Sequence, residues 1–335
     1  MMQRAGGATL LLRRRRWLAA VTAALIVPDA AAQSDPAWPD RPIRMIVGYP
    51  PGGPNDLLAR IIAPKLAEIL GQSVVVDNRP GSNSEIAAAL VAKATPDGYT
   101  LLFASSGAIS ISPGLGRQLP YDARRDFAPI GIVASGPMLL VVKPDLPATS
   151  PAELIALAKA RPGRLNVASA GSGSSPHLAL ELFRAMAKID VVHVPYRGAG
   201  PAFADLIAGQ VDFYFGGLPT ALPQARAGKL RALAVTGPTR SAIAPDIPTL
   251  HESVLPGYDA SIWYGVFAPT GTPPKVVGKL HDAVLAATRD PEVRRHFATH
   301  GADPLESPRD AFVRFIADDI DKWTRIVREA GIKID

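Results

Sequence analysis

The chain has 335 residues, 36 Lys and Arg against 30 Asp and Glu, a formal net charge of +6 and no cysteine. That length allows one large domain or two of ordinary size, and the missing cysteine excludes disulfides, thiolate metal sites and a thiol nucleophile. Much of the positive excess sits in the first sixteen residues, so it gives no case for a nucleic-acid partner.

Arg13 to Arg16 form a basic block, Trp17 to Val27 an apolar run, and Ala30-Ala31-Ala32 a small-residue cleavage site. This is the pattern of an export signal over residues 1–32. A membrane span needs about 20 apolar residues, so the run is too short for one. The mature chain is expected to be soluble and exported, with the Arg14-Arg15 pair leaving general and twin-arginine routes both open.

The stretch IRMIVGYPPGGPNDLLAR, Ile43 to Arg60, reads as a buried strand, a Gly-Pro loop and a helix start. Unpaired N–H groups and the positive end of the helix dipole make such a place attract anions. A plain strand-to-helix turn with no ligand is the alternative. Pro64 falls inside this first helix and is expected to kink or shorten it.

Strands follow over 74–77 and 99–104, with an alanine-rich helix over 84–93 between them, so the alternation predicts parallel sheets with helices on their faces. Each strand ends in a polar or Gly-rich loop, where open parallel sheets take ligands. Strands over 130–134 and 138–142 flank Ser135-Gly136-Pro137. A second α/β series then runs through helix 151–160, strand 165–168, helix 176–187, strand 191–194, helix 201–208, strand 211–215, helix 220–227 and strand 230–235. Its ends near Ser135 and Thr236 are strand-like, so residues 135–236 read as a domain inserted into a discontinuous one, 33–134 plus 237–335. The tail adds a strand over 261–268 and helices over 274–288, 291–299 and 308–330. Phe312, Phe315, Ile316, Ile320, Trp323, Ile326 and Val327 form a core-facing stripe on the last helix.

Ser169 to Ser175 repeats the first loop's logic: strand, small residues, Ser174 or Ser175 as N-cap and Pro176 in the first turn. Two such loops suggest a ligand with polar groups at both ends. His177 and Glu181 share a helix face and are expected to form a hydrogen bond on the helix surface. His296 and His300 lack a third ligand, so no metal and no cofactor are implied. No G-x-S-x-G elbow, P-loop or G-x-G-x-x-G fingerprint occurs.

In this order, WPDRPIRMIVGYPPGGPND, GQSVVVDNRPGS, ATPDGYTLLFASS, LPYDARRDFAPI, LNVASAGSGSSPHLALELF, VVHVPYRGAGPAFADLIAGQVDFYF, GKLRALAVTG, PDIPTL and WYGVFAPTGTP resemble the Bug family. These are the extracytoplasmic receptors of tripartite tricarboxylate transporters, and the resemblance covers essentially all of Trp38 to Asp335. It implies a type II periplasmic binding fold, an α/β architecture of two parallel-sheet domains with hinge crossovers. It also implies a non-enzymatic, monomeric periplasmic receptor that closes on a small carboxylate and delivers it to the transporter's membrane components. On the family pattern the ligand meets Tyr49, Pro50, Gly52, Gly53, Asn55 and Asp56 in the first loop. Ser169, Ala170, Gly171, Ser172, Ser174 and His177 meet it from the second, with Ser82, Ser105, Ser106 and Ser135 on the rim.

Two departures bear on the ligand's identity. Ser82-Asn83-Ser84-Glu85 stands where the family has a glycine-rich tract, bringing bulk and a negative charge toward the cleft. Gly216-Gly217 stands where many relatives carry Asp-Asn. Neither Tyr49 to Asp56 nor Ser169 to His177 contains Arg or Lys, so backbone donors, hydroxyls and water are expected to hold the carboxylate, with Arg79 the cation to weigh against them. An esterase built on Ser172 or Ser174 with His177 is the alternative from another functional class, and an orphan receptor with no dedicated membrane partner, feeding a sensor, is the other alternative.

Overall fold

Ile43–Val47 is buried at every position except Arg44, the pattern of a strand covered on both faces. In the computed structural model, which describes residues 38–116 and 118–329, it is the strand β1. The leader expected over 1–32 lies outside the described residues. After β1 come α1 (Pro54–Leu70), β2 (Val74–Asn78), α2 (Glu85–Ala92), β3 (Thr100–Ser105), α3 (Ser112–Gly114), β4 (Phe127–Gly136) and β5 (Met138–Val142). Then follow α4 (Pro151–Ala160), β6 (Asn166–Ser169), α5 (Ser175–Ala187), β7 (Val192–Pro195), α6 (Ala199–Ile207), β8 (Phe213–Gly217), α7 (Leu218–Arg226) and β9 (Arg231–Val235). The chain continues as α8 (Leu250–Ser253), β10 (Ile262–Pro269), α9 (Pro274–Arg289), α10 (Pro291–Thr299), β11 (Asp303–Pro304) and α11 (Arg309–Glu329).

Two sheets result, of order β11-β4-β10-β3-β1-β2 and β7-β6-β8-β5-β9. Both are mixed and not wholly parallel as expected. β1, β2 and β3 run parallel, as do β6, β7 and β8, while β10 runs antiparallel to β3 and β4, and β5 antiparallel to β8 and β9. The crossovers are the cause. β4 passes through Pro137 alone into β5, so β5 enters its sheet at the end where β8 finishes, Met138 opposite Gly217. β10 likewise starts where β3 finishes, Tyr264 opposite Ser105. A strand that enters where its neighbours end must oppose them. Thr236 ties the crossovers together: its Oγ1 accepts from Met138 N–H at 2.8 Å and donates to the Ala260 carbonyl at 3.0 Å.

α1 runs unbroken to Leu70 despite Pro64, whose position on the exposed face leaves the freed carbonyl one turn back open to water. A π-turn over Gly107–Ile111, absent from the sequence expectation, carries the chain from β3 into α3. On α11 the stripe packs as expected at Phe312, Ile316, Ile320 and Trp323, while Phe315 remains 39 % exposed. Trp263 Nε1 donates to Asp319 Oδ2 at 2.7 Å, fixing α11 to β10. Farther along, Trp323 shares a buried cluster with Ile111 and with Leu178 of α5.

Candidate functional site

Four helices start around one small cavity. Gly53, Pro54 and Asn55 of the α1 start line it, with Ser175 and Pro176 of α5, Ala199 and Gly200 of α6, and Gly217 before α7. The N-caps of α1, α6 and α7 are glycines with no side-chain cap. Their first N–H groups therefore have neither an intrahelical partner nor a cap of their own. Each helix start favours an anion by roughly 0.3–1 kcal/mol, so four together amount to about 1–4 kcal/mol.

No charged side chain lines this inner cavity. Its polar groups are the phenols of Tyr49 and Tyr214, the hydroxyls of Ser105 and Ser175, and Asn55. Burial pushes the Tyr49 phenol well up, against an opposing hydrogen bond from Ser105, and does the same to Tyr214. Both phenols stay protonated and able to donate. Asn55 Oδ1 is buried and has no hydrogen-bond partner among the described residues.

The first loop is held from behind. Asp56 accepts from Gly52 N–H at 2.9 Å, from Arg60 Nε at 2.9 Å and from Asn78 Nδ2 at 2.9 Å. Asn78 Nδ2 also donates to the Tyr49 carbonyl at 3.0 Å. Asp56 and Gly52 thus shape the loop and do not line the cavity. The donors left to face a ligand are those of Gly53 and the first residues of α1, since Pro50, Pro51 and Pro54 carry no N–H.

Ser82, Asn83 and Ser84 adopt φ of 44°, 50° and 70°, three left-handed residues in succession without a glycine. Contacts pin them. Asn83 accepts from Tyr49 OH at 2.5 Å and donates to Ser112 Oγ at 3.1 Å and, across the cleft, to the Gly173 carbonyl at 2.7 Å. Glu85, expected near the cleft as a negative charge, is buried and accepts from Ser112 Oγ at 3.1 Å. A second contact across the cleft joins Ser106 Oγ and Ser175 Oγ at 3.2 Å. Beside this turn lies an outer cavity of about 340 Å³, lined by Ser82, Asn83, Gly171, Ser172, Tyr196 and Arg197 among others. It shares Tyr49, Pro50 and Ala170 with the inner cavity, whose volume is about 30 Å³.

The second loop is largely self-satisfied. Gly171 N–H donates to Ser169 Oγ, Gly173 N–H to His177 Nδ1 at 3.0 Å, and Ser174 N–H to the Gly171 carbonyl. Ser174 Oγ caps α5 by accepting from His177 N–H. His177 is 4 % exposed and Glu181 8 %, so the expected surface pair is instead buried, Nε2 to Oε1 at 3.5 Å. Helical spacing fixes that the two share a face, and tertiary packing turned that face inward. Neither ring nitrogen of His177 meets Ser172 or Ser174; the serine-histidine hydrogen bond here is Ser169 Oγ with His193 Nε2 at 2.6 Å, and Ser169 is fully buried.

His193 stacks on His177 with centroids 3.8 Å apart. Burial, reinforced by the neighbouring His177, pulls its pKa down from 6.5 to about 4. Burial alone would raise Glu181, but hydrogen bonding to His177 and the Arg184 guanidinium outweigh it and hold the carboxyl below its usual range. The unfolded chain protonates His193 near 6.5 and the folded chain only near 4. The stability gained by keeping it neutral is therefore complete above pH 6.5 and is lost as pH falls toward about 4. Thermal melts at pH 7 and pH 4.5 should show a larger loss for the wild type than for His193→Asn; equal losses would mean that His193 charges freely in the folded protein.

Of the residues expected at the site, Tyr49, Pro50, Gly53, Asn55, Ser105 and Ala170 line the inner cavity, and Ser82, Gly171 and Ser172 the outer one. Gly52, Asp56, Ser169, Ser174 and His177 lie behind the loops they shape, and Ser106 faces Ser175. Ser135 sits in β4 opposite Trp263 and Asp303. Arg79 is ion-paired with Asp77 at 3.0 Å, whose carboxyl Arg44 and Arg79 hold below its usual range. Sequence reasoning missed Ala199, Gly200 and Gly217, although Gly198-Ala199-Gly200-Pro201 and Gly216-Gly217-Leu218-Pro219 carry the same glycine-then-proline signal as the first loop.

The profile of the tripartite tricarboxylate transporter family receptor, TctC, matches residues 58–332. Protein BugT of Bordetella pertussis is 40 % identical over 306 residues, 91 % of this chain and 94 % of that one. Among solved structures, the periplasmic binding protein BugD superposes with a TM-score of 0.85 at 33 % identity, covering 88 % of this chain and 99 % of that one. A Rhodopseudomonas palustris protein with adipate gives 0.86 at 37 %, covering 88 % and 99 %. MatC of the same organism, with bound malate, gives 0.83 at 33 %, covering 86 % and 99 %. With its sequence matched along most of its length and its two sheets superposing on these proteins, the chain belongs to the TctC, or Bug, family of tripartite tricarboxylate transporter receptors.

Proposed function

We propose that this chain is a periplasmic receptor that captures a small carboxylate between its two sheets and hands it to the membrane components of a tripartite tricarboxylate transporter. The observation that carries the reading is the convergence of four helix starts, three without a side-chain cap, on a cavity with no charged side chain. Such a cavity attracts an anion without neutralising it by a fixed countercharge, which suits capture followed by release. Adipate and malate in the related proteins, both dicarboxylates, support the ligand class. Tricarboxylates, acidic amino acids and aromatic acids belong to the same class. In this reading residues 33–134 with 237–335 and residues 135–236 act as two domains of a monomer and close about the crossovers at Pro137 and Thr236.

A panel of carboxylates and matched neutral solutes in a thermal melt of the mature protein tests this. A ligand at about 100 times its Kd adds roughly 2.7 kcal/mol of apparent stability. Stabilisation by at least one carboxylate, without its consumption, is the expected result. Stabilisation by neutral solutes alone, or turnover of a small ester, would overturn it.

A further inference from the structure

Arg197 lines the outer cavity, and among the described residues its side chain makes no hydrogen bond or ion pair. Its position is fixed by its neighbours. Tyr196 N–H donates to the Ser169 carbonyl at 3.1 Å and Tyr196 OH to Asp205 at 2.7 Å. On the other side Gly198 has φ of 120°, and a Cβ there would stand 2.9 Å from Pro50 Cδ, so only glycine lets this turn lie against the first loop. The main chain of Arg197 is thereby held at the cleft mouth between Pro50 and Gly171, and its exposed side chain is free to reach into the outer cavity that it lines. No acidic side chain lines either cavity.

The two cavities adjoin through Tyr49, Pro50 and Ala170, and the inner one, about 30 Å³, is much the smaller. A ligand whose head enters the ring of helix starts therefore extends toward the outer cavity of about 340 Å³. We propose that the outer cavity is a second anion subsite in which Arg197, aided by the hydroxyls of Ser82 and Ser172, takes the distal carboxylate of a two-headed acid whose first carboxylate enters the ring of helix starts. This rests on the carboxylate-receptor reading and narrows it: the ligand is an extended dianion, and Arg197 selects it over a monocarboxylate of equal length.

Calorimetric titration of the mature wild type, Arg197→Gln and Arg197→Lys with straight-chain dicarboxylates of four to six carbons, and with the monocarboxylates of the same lengths, tests it. The wild type should prefer the diacid of best length. Arg197→Gln should weaken that diacid by about tenfold or more, the effect of losing a charged hydrogen bond, leave the monoacid unchanged, and erase the preference. Arg197→Lys should restore part of it. Unchanged diacid affinity in Arg197→Gln, or equal losses for diacid and monoacid, overturns the subsite and leaves the receptor reading standing. No binding of either acid by the wild type overturns the subsite as well, while the receptor reading falls only if the wider carboxylate panel also fails to stabilise the protein.

Discussion

Gly217→Ala should remove most of the affinity for a carboxylate while changing the melting temperature of the ligand-free protein little. The glycine ends β8 on the second sheet's side of the inner cavity, and Pro54, the first residue of α1, faces it from the first sheet's side. A Cβ at residue 217 would stand 2.7 Å from Pro54 Cγ and 3.3 Å from Pro54 Cβ. A proline ring has no rotamer to escape into, so the clash is relieved only by moving the two sheets apart. Overpacking of this kind costs about 1–3 kcal/mol. If the protein opens and closes as proposed, the cost falls on the closed form alone and therefore on binding, a loss of roughly 5- to 150-fold. Titration and melting of the same preparation separate the outcomes. Unaltered affinity with a lowered melting temperature would mean that the sheets do not separate and that the cavity is fixed.

That close approach also explains the Gly216-Gly217 pair, which in the sequence stands out only as a departure from relatives. At Gly216 a Cβ would meet the Phe203 ring at 2.6 Å, so both glycines mark tight packing, one inside the second sheet's core and one across the cleft. Neither approach has a local signature. The first and second loops were legible because each follows a recognisable strand with a cluster of small or Pro residues before a helix. The α6 start carries the same cluster between a strand and a helix that were both read, but nothing local shows that its turn lies against the first loop, an approach made by Gly198 on Pro50. Arg197 escaped notice for the same reason, while Arg79, nearer a recognised loop, drew attention and proves to be engaged by Asp77 two residues away.

The mixed sheets were hidden for a different reason. Alternation of strands and helices predicts parallel neighbours, and it holds for β1, β2 and β3 and for β6, β7 and β8, but fails for β5 and β6, which oppose each other although α4 joins them. β5 follows the other sheet's β4 through Pro137 alone and β10 follows β9 through residues 236–261, and only the pairing of Met138 with Gly217 and of Tyr264 with Ser105 reveals their direction. Those same crossovers place Met138 and Ile262 in the cavity wall, so the part of the topology that was not legible also supplies part of the site.

Gly48→Ala should destabilise the protein more than Gly217→Ala does, by about 3 kcal/mol, the upper end of overpacking costs. Gly48 follows β1, and a Cβ there would fall 1.8 Å from Ser84 Oγ, 2.4 Å from Ser84 Cβ and 2.6 Å from Ser84 Cα. The last of these is backbone, so no rotation of the serine removes the clash. Nor can the turn retreat freely, because Asn83 beside it is held by Tyr49, Ser112 and the Gly173 carbonyl. The turn that must move is already left-handed at three residues and carries a buried Ser84 hydroxyl with no partner among the described residues. Ser84→Gly alone should therefore be tolerated: it relieves a positive φ and deletes an unsatisfied hydroxyl, two gains set against the extra freedom of an unfolded glycine. In the double variant, removal of the serine's side-chain atoms should recover part of the loss, leaving the cost of the clash with the main chain at residue 84. A thermodynamic cycle over the four proteins measures this coupling. Strict additivity of Gly48→Ala and Ser84→Gly would mean that the two positions do not touch, and would dissolve the packing that holds Ser82 and Asn83 at the wall of the outer cavity.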